Sequence, residues 1–425
     1  MLALVAIMDL ELDHMDVTTA FLNGILKEDV YMYLLMDGEE CVWQKLPEGF
    51  VLKMLKALYG LKQAGRTWYD TIHDAFIREY GFTRLEADHC LYLVQWKDGN
   101  FILILLFVDD LALASNSREM LDGFKRSLME KFEMKDLGEL RWFLGMRITR
   151  DRGRRTLGID QSQYIDKMVA NYQLPNKTAW TPVEAGHDFI SYDPKSQITK
   201  KYQSLIGSLM YAMCGTRPDI AYGVSTLSRF NHNPSSEHYN AALRILKYLE
   251  GTRNLGILYG SKGSSRDTVL GYSDSGYADD KDHRQSTAGY VFLLSGGAIA
   301  WKSKLQKTVA TSSTEAEYMG LGQAVKEALW LKGLVSELGL HKERDETMTI
   351  FSDSMGGIDL AKTTRHHDRT KHIDIRHHFL REHVENRNIE LVHVKTEFMW
   401  ADTLTKPLGR VKFMACRDGM GLMEV

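Results

Sequence analysis

Phe101-Ile102-Leu103-Ile104-Leu105-Leu106-Phe107-Val108-Asp109-Asp110-Leu111-Ala112-Leu113-Ala114 places two adjacent carboxylates between two apolar runs. Apolar runs of this kind, bounded by a polar break, signal buried strands, so the spacing predicts a β-hairpin with Asp109 and Asp110 at its tip. Two ionised neighbours repel unless positive charge lies between them. A pair of divalent ions about 3.5–4 Å apart would supply that charge, clamping the attacking and leaving oxygens of a phosphoryl transfer through hard oxygen ligands. A solvated Asp-Asp turn is the alternative reading.

Upstream, Leu10, Leu12 and Met15 sit around polar positions and Asp16 closes the segment as a strand, which gives a third carboxylate a place. A length of 425 residues suggests two to four domains, and 44% apolar residues suffice for real cores. The longest apolar run, Phe101 to Val108, is too short to span a bilayer, and Met1 to Met8 lacks the basic start of a signal peptide. No membrane role is expected. Cys41, Cys90, Cys214 and Cys416 form no C-x-x-C pair and read as reduced core thiols of an intracellular protein. A formal net charge of −3 does not advertise nucleic acid. Phosphate contacts need only a local basic stripe, however, and Arg147 to Arg155, Lys302 to Lys307 and Arg365 to Arg381 are candidates, each equally readable as a solvated face.

Further along, Met120, Phe124, Leu128 and Phe132 recur every four residues and predict a helix over Ser117 to Phe132 with one core-facing stripe. From Asp160 to Ser261 the pattern is mainly helical, with Tyr164, Ile165, Met168, Val169 and Tyr172 on one face and Leu205, Leu209 and Ala212 on another. Thr216-Arg217-Pro218-Asp219 reads as a helix start, and the helix after Pro234-Ser235-Ser236 ends at Gly251. The Gly- and Ser-rich stretch Gly260 to Ser265 marks a boundary.

Beyond it lies a second set of acids. A strand from Leu270 leads to Asp274, a hairpin turns at Ser295-Gly296-Gly297, and a helix beginning near Thr314 carries Glu317. The strand Met348 to Ser352 leads to Asp353, and the strand Ile389 to Lys395 precedes Trp400-Ala401-Asp402. Acids at strand ends and helix starts in this order form the ribonuclease H pattern, and Asp274, Glu317, Asp353 and Asp402 are expected to converge on one two-metal site. Thr314-Glu315-Ala316-Glu317 also reads as a capping box, in which Glu317 merely satisfies a backbone N–H. Asp274-Ser275-Gly276 matches an aspartic-protease triplet, though the rest of such an enzyme is missing, and His366, His367, His372, His377 and His378 form a cluster without a nearby cysteine.

Several phrases carry a resemblance to the copia-type retrotransposon polyprotein, in its reverse transcriptase and ribonuclease H region. They are His14-Met15-Asp16-Val17-Thr18-Thr19-Ala20-Phe21-Leu22-Asn23-Gly24, then Leu58-Tyr59-Gly60-Leu61-Lys62-Gln63-Ala64-Gly65-Arg66-Thr67-Trp68-Tyr69, then Phe107 to Asp110. Thr311 to Tyr318, Arg369 to Arg376 and Ala401-Asp402-Thr403-Leu404-Thr405-Lys406-Pro407-Leu408 match the hydrolase part, and Thr216 to Asp219 and Tyr248-Leu249-Glu250-Gly251-Thr252 the part between. The resemblance implies RNA-directed DNA synthesis with Asp16, Asp109 and Asp110 as catalytic metal ligands. It makes Phe21 the gate against a ribose 2′-OH, and Gln63 a contact for the incoming nucleotide or template. Glu317, rather than Glu315, aligns with the hydrolase acids Asp274, Asp353 and Asp402.

The fold so implied is α+β and multidomain. A partial palm of antiparallel sheet plus helices covers 1–150, a mainly helical thumb or connection 151–262, an α/β ribonuclease H-like domain 266–410 and a tail 411–425. Implied cofactors are two Mg²⁺ per active site, with Mn²⁺ as an alternative. Implied partners are an RNA template, a DNA primer, dNTPs and an RNA/DNA hybrid, in the cytoplasm, a virus-like particle or the nucleus. Against the family pattern, Met1 to Leu12 carries no basic residue where fingers would clamp a triphosphate, and Tyr33 to Leu46 intervenes before Pro47-Glu48-Gly49-Phe50. Phe107 replaces a tyrosine, and no protease or integrase segment is read. The expectation is a hydrolase joined to an impaired polymerase; an inactive remnant and a non-catalytic nucleic-acid-binding scaffold are the other two readings.

Overall fold

A computed structural model of the chain describes residues 1–33, 51–172, 174, 178–186, 198–260, 268–339, 347–362 and 374–425. It comprises two compact units, Leu10–Leu140 and the combination of Met1–Asp9 with Arg141–Val425. The boundary at 140 does not coincide with those expected at 150 and 262. The phrase Pro47 to Phe50, the insertion from 34 onward, Cys41, and His366, His367 and His372 lie outside the described residues.

Leu10–Leu140 is built on a six-stranded antiparallel sheet in the order Thr83–Arg84, Leu91–Gln95, Phe101–Phe107, Asp110–Ser115, Glu11–Val17, Met134–Glu139. The apolar run around the paired acids forms the predicted hairpin: Phe107 pairs with Asp110, leaving Val108-Asp109 as a two-residue turn. Alternating residues of the two central strands meet the helices Ala64–Asp74 and Arg118–Lys131 in one core that includes Met15, Trp68, Ile72, Phe76, Ile104, Leu113, Phe124 and Leu128. Ser117 caps the second helix, its side chain accepting the Met120 N–H at 3.4 Å. The inward stripe uses Leu121 in place of Met120, because a 3.6-residue period drifts off a strict spacing of four. Lys125 on that helix is buried and bonds Asp13 at 2.5 Å and Asp136 at 2.8 Å. Burial works to raise the Asp13 pKa, but hydrogen bonds from Arg118 and Lys125 prevail and hold it below the usual carboxylate range.

In the second unit, helices Ser162–Tyr172, Thr199–Gly215, Ala221–Ser228 and Ser236–Gly251 enclose a core of Ile165, Leu205, Leu209, Val224, Ile245 and Leu249. Two phrases quoted above meet here. The fully buried Arg217 bonds Asp219 through two nitrogens at 3.0 and 2.7 Å and reaches the Thr252 hydroxyl at 2.8 Å, while Tyr248 donates to Asp219 at 2.5 Å. Strands also enter this region: Trp142–Phe143, Met146–Asp151, Thr156–Asp160, Leu255–Tyr259 and Leu422–Glu424 form an antiparallel sheet. Its last strand and the helix Arg410–Gly419 come from the segment read as a tail, whose burial of Phe413, Cys416 and Leu422 makes it part of the core.

Two other expectations are corrected. Arg147 pairs with buried Asp160 at 2.8 Å and Arg150 with Asp9 at 2.7 Å, so these members of the first basic cluster serve internal ion pairs. Of the described cysteines only Cys416 is buried; Cys90 lies in a turn and Cys214 on an outer helix face, both exposed.

The remaining sheet of this unit runs Gly297–Leu305, Thr287–Leu294, Leu270–Ser275, Met348–Ser352, Ile389–His393. The first three strands are antiparallel neighbours, and the last two join in parallel. Helix Ser313–Glu337 packs on the Leu270–Ser275 and Thr287–Leu294 strands. Its approach is close enough that a Cβ at Gly320 would overlap the Ser275 hydroxyl.

Candidate functional site

The palm acids are set by strand register. Asp16 stands directly opposite Asp110 on neighbouring antiparallel strands, and the Val17 N–H donates to the Asp109 carbonyl at 2.9 Å. Directly opposed residues put their side chains on the same face, so Asp16 and Asp110 project together beside the turn that carries Asp109. Val108, β-branched, holds φ at +57°, a conformation that costs roughly 1–3 kcal/mol and clusters at functional sites. The indole of buried Trp68 donates to the Val108 carbonyl at 2.6 Å, and His14 Nε2 lies 3.0 Å from Asp110 Oδ1. Neither Trp68 nor His14 was given a role from sequence, although both lie in the quoted phrases. Phe21, half-buried, packs its ring 4.7 Å from that of Tyr59; Gln63 caps the helix that carries Trp68, its carbonyl accepting the Thr67 N–H at 2.9 Å.

The tighter acid cluster is in the second unit. One carboxylate oxygen from each of Asp274, Asp353 and Asp402 lies within 4.8 Å of the others, and among the described residues these are the acids that form such a trio; Asp16, Asp109 and Asp110 do not. Three local features produce it. Asp274 lies near the end of its strand, Asp353 follows the adjoining parallel strand, and Asp402 sits on the helical turn Trp400–Leu404. That turn presses on the neighbouring strand at Gly289, where a Cβ would lie 2.7 Å from Leu404 Cβ.

Glu317 joins the cluster electrostatically. Ser312 is the helix cap, its hydroxyl accepting the Glu315 N–H at 3.1 Å, and Glu315 returns to the Thr311 N–H at 2.7 Å. The cap thus lies two residues before the register considered above, which frees Glu317 from that duty. Its Oε2 is buried without a hydrogen-bond partner. Burial first, then the Asp274 and Asp353 charges, push its pKa up to about 9. Burial likewise lifts Asp274 to about 6, against the attraction of Lys406.

Several groups that sequence reasoning gave no role hold these acids. The Thr405 hydroxyl donates to Asp274 Oδ2, and the Thr396 hydroxyl to Asp353 Oδ2 at 2.8 Å. Lys406 lies 2.6 Å from Asp402 Oδ1 and 3.4 Å from Asp274 Oδ2, and Lys412 lies 3.1 Å from Asp402 Oδ2. Thr405 and Lys406 lie only three and four residues after Asp402, but nothing in that spacing assigns them to Asp274. The donor set, all carboxylate, with an orphaned buried oxygen and an excess of negative charge, fits a hard divalent cation.

Residues 1–185 match the family model described as reverse transcriptase (RNA-dependent DNA polymerase). The chain is 40% identical to the retrovirus-related Pol polyprotein from transposon TNT 1-94 of Nicotiana tabacum, over 99% of this chain and 32% of that protein. It is 37% identical to the Pol polyprotein from transposon RE1 of Arabidopsis thaliana, over 97% of this chain and 27% of that one. It therefore spans about a third or less of these two relatives. A putative transposon Ty5-1 protein of Saccharomyces cerevisiae is 36% identical over 74% of this chain and is covered completely. Among solved structures, a foamy viral protease-reverse transcriptase in complex with dsDNA shares the fold, with a TM-score of 0.50 and 16% identity, covering 91% of this chain and 68% of that one. No helix among the described residues is long and apolar enough to cross a membrane. The chain belongs to the copia-type transposon Pol family, in its reverse transcriptase and ribonuclease H region.

Proposed function

We propose that the chain copies RNA into DNA at Asp16, Asp109 and Asp110 and hydrolyses the RNA of the resulting hybrid at Asp274, Glu317, Asp353 and Asp402. The observation that carries the hydrolase assignment is the convergence of three aspartates within 4.8 Å beside the buried, unpartnered Oε2 of Glu317. For the polymerase it is the register that puts Asp16 opposite Asp110 at a strained two-residue tip.

Mg²⁺ or Mn²⁺, when bound, lowers the pKa of the attacking hydroxyl or water and stabilises the departing oxygen. The chain's own residues do the rest. Thr405 and Thr396 orient Asp274 and Asp353 through their hydroxyls, which fixes where those carboxylates offer their remaining oxygens. His14 does the same for Asp110. Phe21, braced by Tyr59, excludes a ribose 2′-OH, and Gln63 meets the incoming dNTP or the template. A hybrid held through its backbone and 2′-hydroxyls gives sequence-tolerant, salt-sensitive binding. The match to the family described as reverse transcriptase (RNA-dependent DNA polymerase) supports an RNA template and a DNA primer as substrates, and the transposon relatives support an intracellular setting.

The test is one gel with Mg²⁺, an RNA template annealed to a DNA primer, a different label on each strand, and an Asp353→Asn protein alongside. RNA shortening with primer growth supports both halves, and the variant should lose only the shortening. If neither strand changes, the catalytic reading fails; hybrid retention without turnover then favours a binding scaffold.

A further inference from the structure

The hydrolase cluster carries its own cations. Asp274 and Asp402 are each 1% exposed, yet both face the Lys406 ammonium, at 3.4 and 2.6 Å, and Asp402 takes Lys412 on its other oxygen at 3.1 Å. Lys406 reaches them from four residues along the same turn, its backbone N–H bonded to the Asp402 carbonyl at 3.2 Å. Lys412 is tied separately, to the Thr396 and Met399 carbonyls and to Asp402. Its position is fixed by the backbone. Lys406 differs: its side chain is 40% exposed although its ammonium bridges two buried acids. A long, flexible chain with one face in solvent can withdraw where a buried ion pair cannot.

We infer that Lys406 is a positioning residue that holds Asp274 and Asp402 together in the metal-free protein, competes with the divalent ion for their oxygens, and withdraws into solvent when the ion binds. The inference rests on the assignment of these acids as metal ligands. Its physical basis is charge. Three carboxylates within 4.8 Å repel one another, and an ammonium between two of them offsets part of that repulsion. A divalent ion binding the same oxygens must displace it, so the two cations are negatively coupled. Coupling free energies between ligands commonly correspond to about 5–150-fold in affinity.

The experiment titrates the full chain with Mg²⁺ and with Mn²⁺, by calorimetry and electron paramagnetic resonance, for the natural protein, Lys406→Met, Lys406→Arg and the surface control Lys326→Met. Removing the cation should tighten metal binding at least about fivefold and lower the melting temperature in EDTA. Lys406→Arg and Lys326→Met should keep the natural affinity. A purely structural lysine would give the opposite sign, since loss of order weakens a metal site. Unchanged or weaker binding by Lys406→Met overturns the inference while leaving the metal assignment standing. No binding by the natural protein overturns both. Should Lys406→Met fail to fold, acylation of the natural chain followed by mass spectrometry decides. Lys406 should be protected in EDTA and at least about fivefold more reactive in Mg²⁺; equal reactivity refutes displacement.

Discussion

Trp68 and Val108, forty residues apart, are joined by a 2.6 Å hydrogen bond from the indole N–H to the carbonyl at the tip of the acid hairpin. The donor is fully buried on a helix whose other buried residues anchor in the palm core, so the bond ties a strained, half-exposed turn to a rigid element. Trp68→Phe removes the donor and keeps an aromatic ring. The expected result is a loss of about 1–3 kcal/mol in urea unfolding of this unit. Primer extension should fall by about 10- to 100-fold, since displacing reacting groups by about 1 Å costs up to about 100-fold. Hybrid RNA cleavage should keep its rate; equal loss of both activities would mean the bond serves folding alone.

Val108 itself offers the converse experiment. Glycine adopts φ near +57° without the Cβ clash, so Val108→Gly relieves roughly 1–3 kcal/mol of strain and gives back about 0.5–1 kcal/mol in chain entropy. Thermal melting should show equal or higher stability while primer extension declines. A variant that gains stability at full activity would show that the strain has no catalytic use.

Much of this architecture is legible in the residues. The Phe101 to Ala114 runs specify strands whichever helices cover them, because their apolar content has no other burial, and the turn follows from the two acids between them. The four acids proposed for the hydrolase are legible as positions at strand ends, for Asp274 and Asp353, and at helix starts, for Glu317 and Asp402. What holds them is not. Thr405 and Lys406 reach Asp274 across 131 and 132 residues, and such pairings are set by tertiary packing, with no local periodicity to mark them. The same applies to the strand Leu422–Glu424, too short for a pattern and recognisable only beside Leu255–Tyr259. The helix cap before Glu317 is Ser312 and not the alternative Thr314, and the residues alone do not separate the two because both are chemically equivalent cap candidates.

The buried Arg217–Asp219 pair predicts a stability effect without a catalytic one. Arg217 also bonds Thr252, and Tyr248 bonds Asp219, so the network closes the helix Ser236–Gly251 onto the turn before Ala221–Ser228. Arg217→Met leaves Asp219 charged and buried without its partner, a situation that costs about 3–5 kcal/mol. The double variant Arg217→Met/Asp219→Leu should recover part of that loss in a denaturant titration. A single variant as stable as the natural chain would mean that water reaches Asp219.

Glu317→Gln separates the charge of this residue from its shape. At pH 7 the natural Glu317 must take up a proton to fold, because its pKa rises from an ordinary 4.5 to about 9; the amide is neutral in both states, so in EDTA the variant should be more stable than the natural chain by about 1–3 kcal/mol. Metal affinity should fall, and hybrid RNA cleavage should drop by at least about 100-fold. Lower stability in EDTA would show that Glu317 is a structural partner whose charge the fold requires.

The raised acids also fix the pH dependence of metal binding. Glu317 stands near 9 against an ordinary 4.5, and Asp274 near 6 against 3.8, so between those limits the native metal-free protein holds more protons than the unfolded chain. Stability from this source is complete below the unfolded values and is lost as pH rises, by up to about 1.4 kcal/mol per pH unit for each proton. Binding a divalent ion reverses the demand, because both acids must then be ionised. From pH 6 to 9 only the Glu317 proton has to leave, so Mg²⁺ affinity should rise about tenfold per pH unit, with about one proton released per ion; below pH 6 the Asp274 proton adds to the slope. Calorimetry in buffers of different ionisation enthalpy measures that release directly. Affinity that stays flat across the window, with no proton given up, would mean that the ion binds without Glu317 and that three aspartates alone make the site.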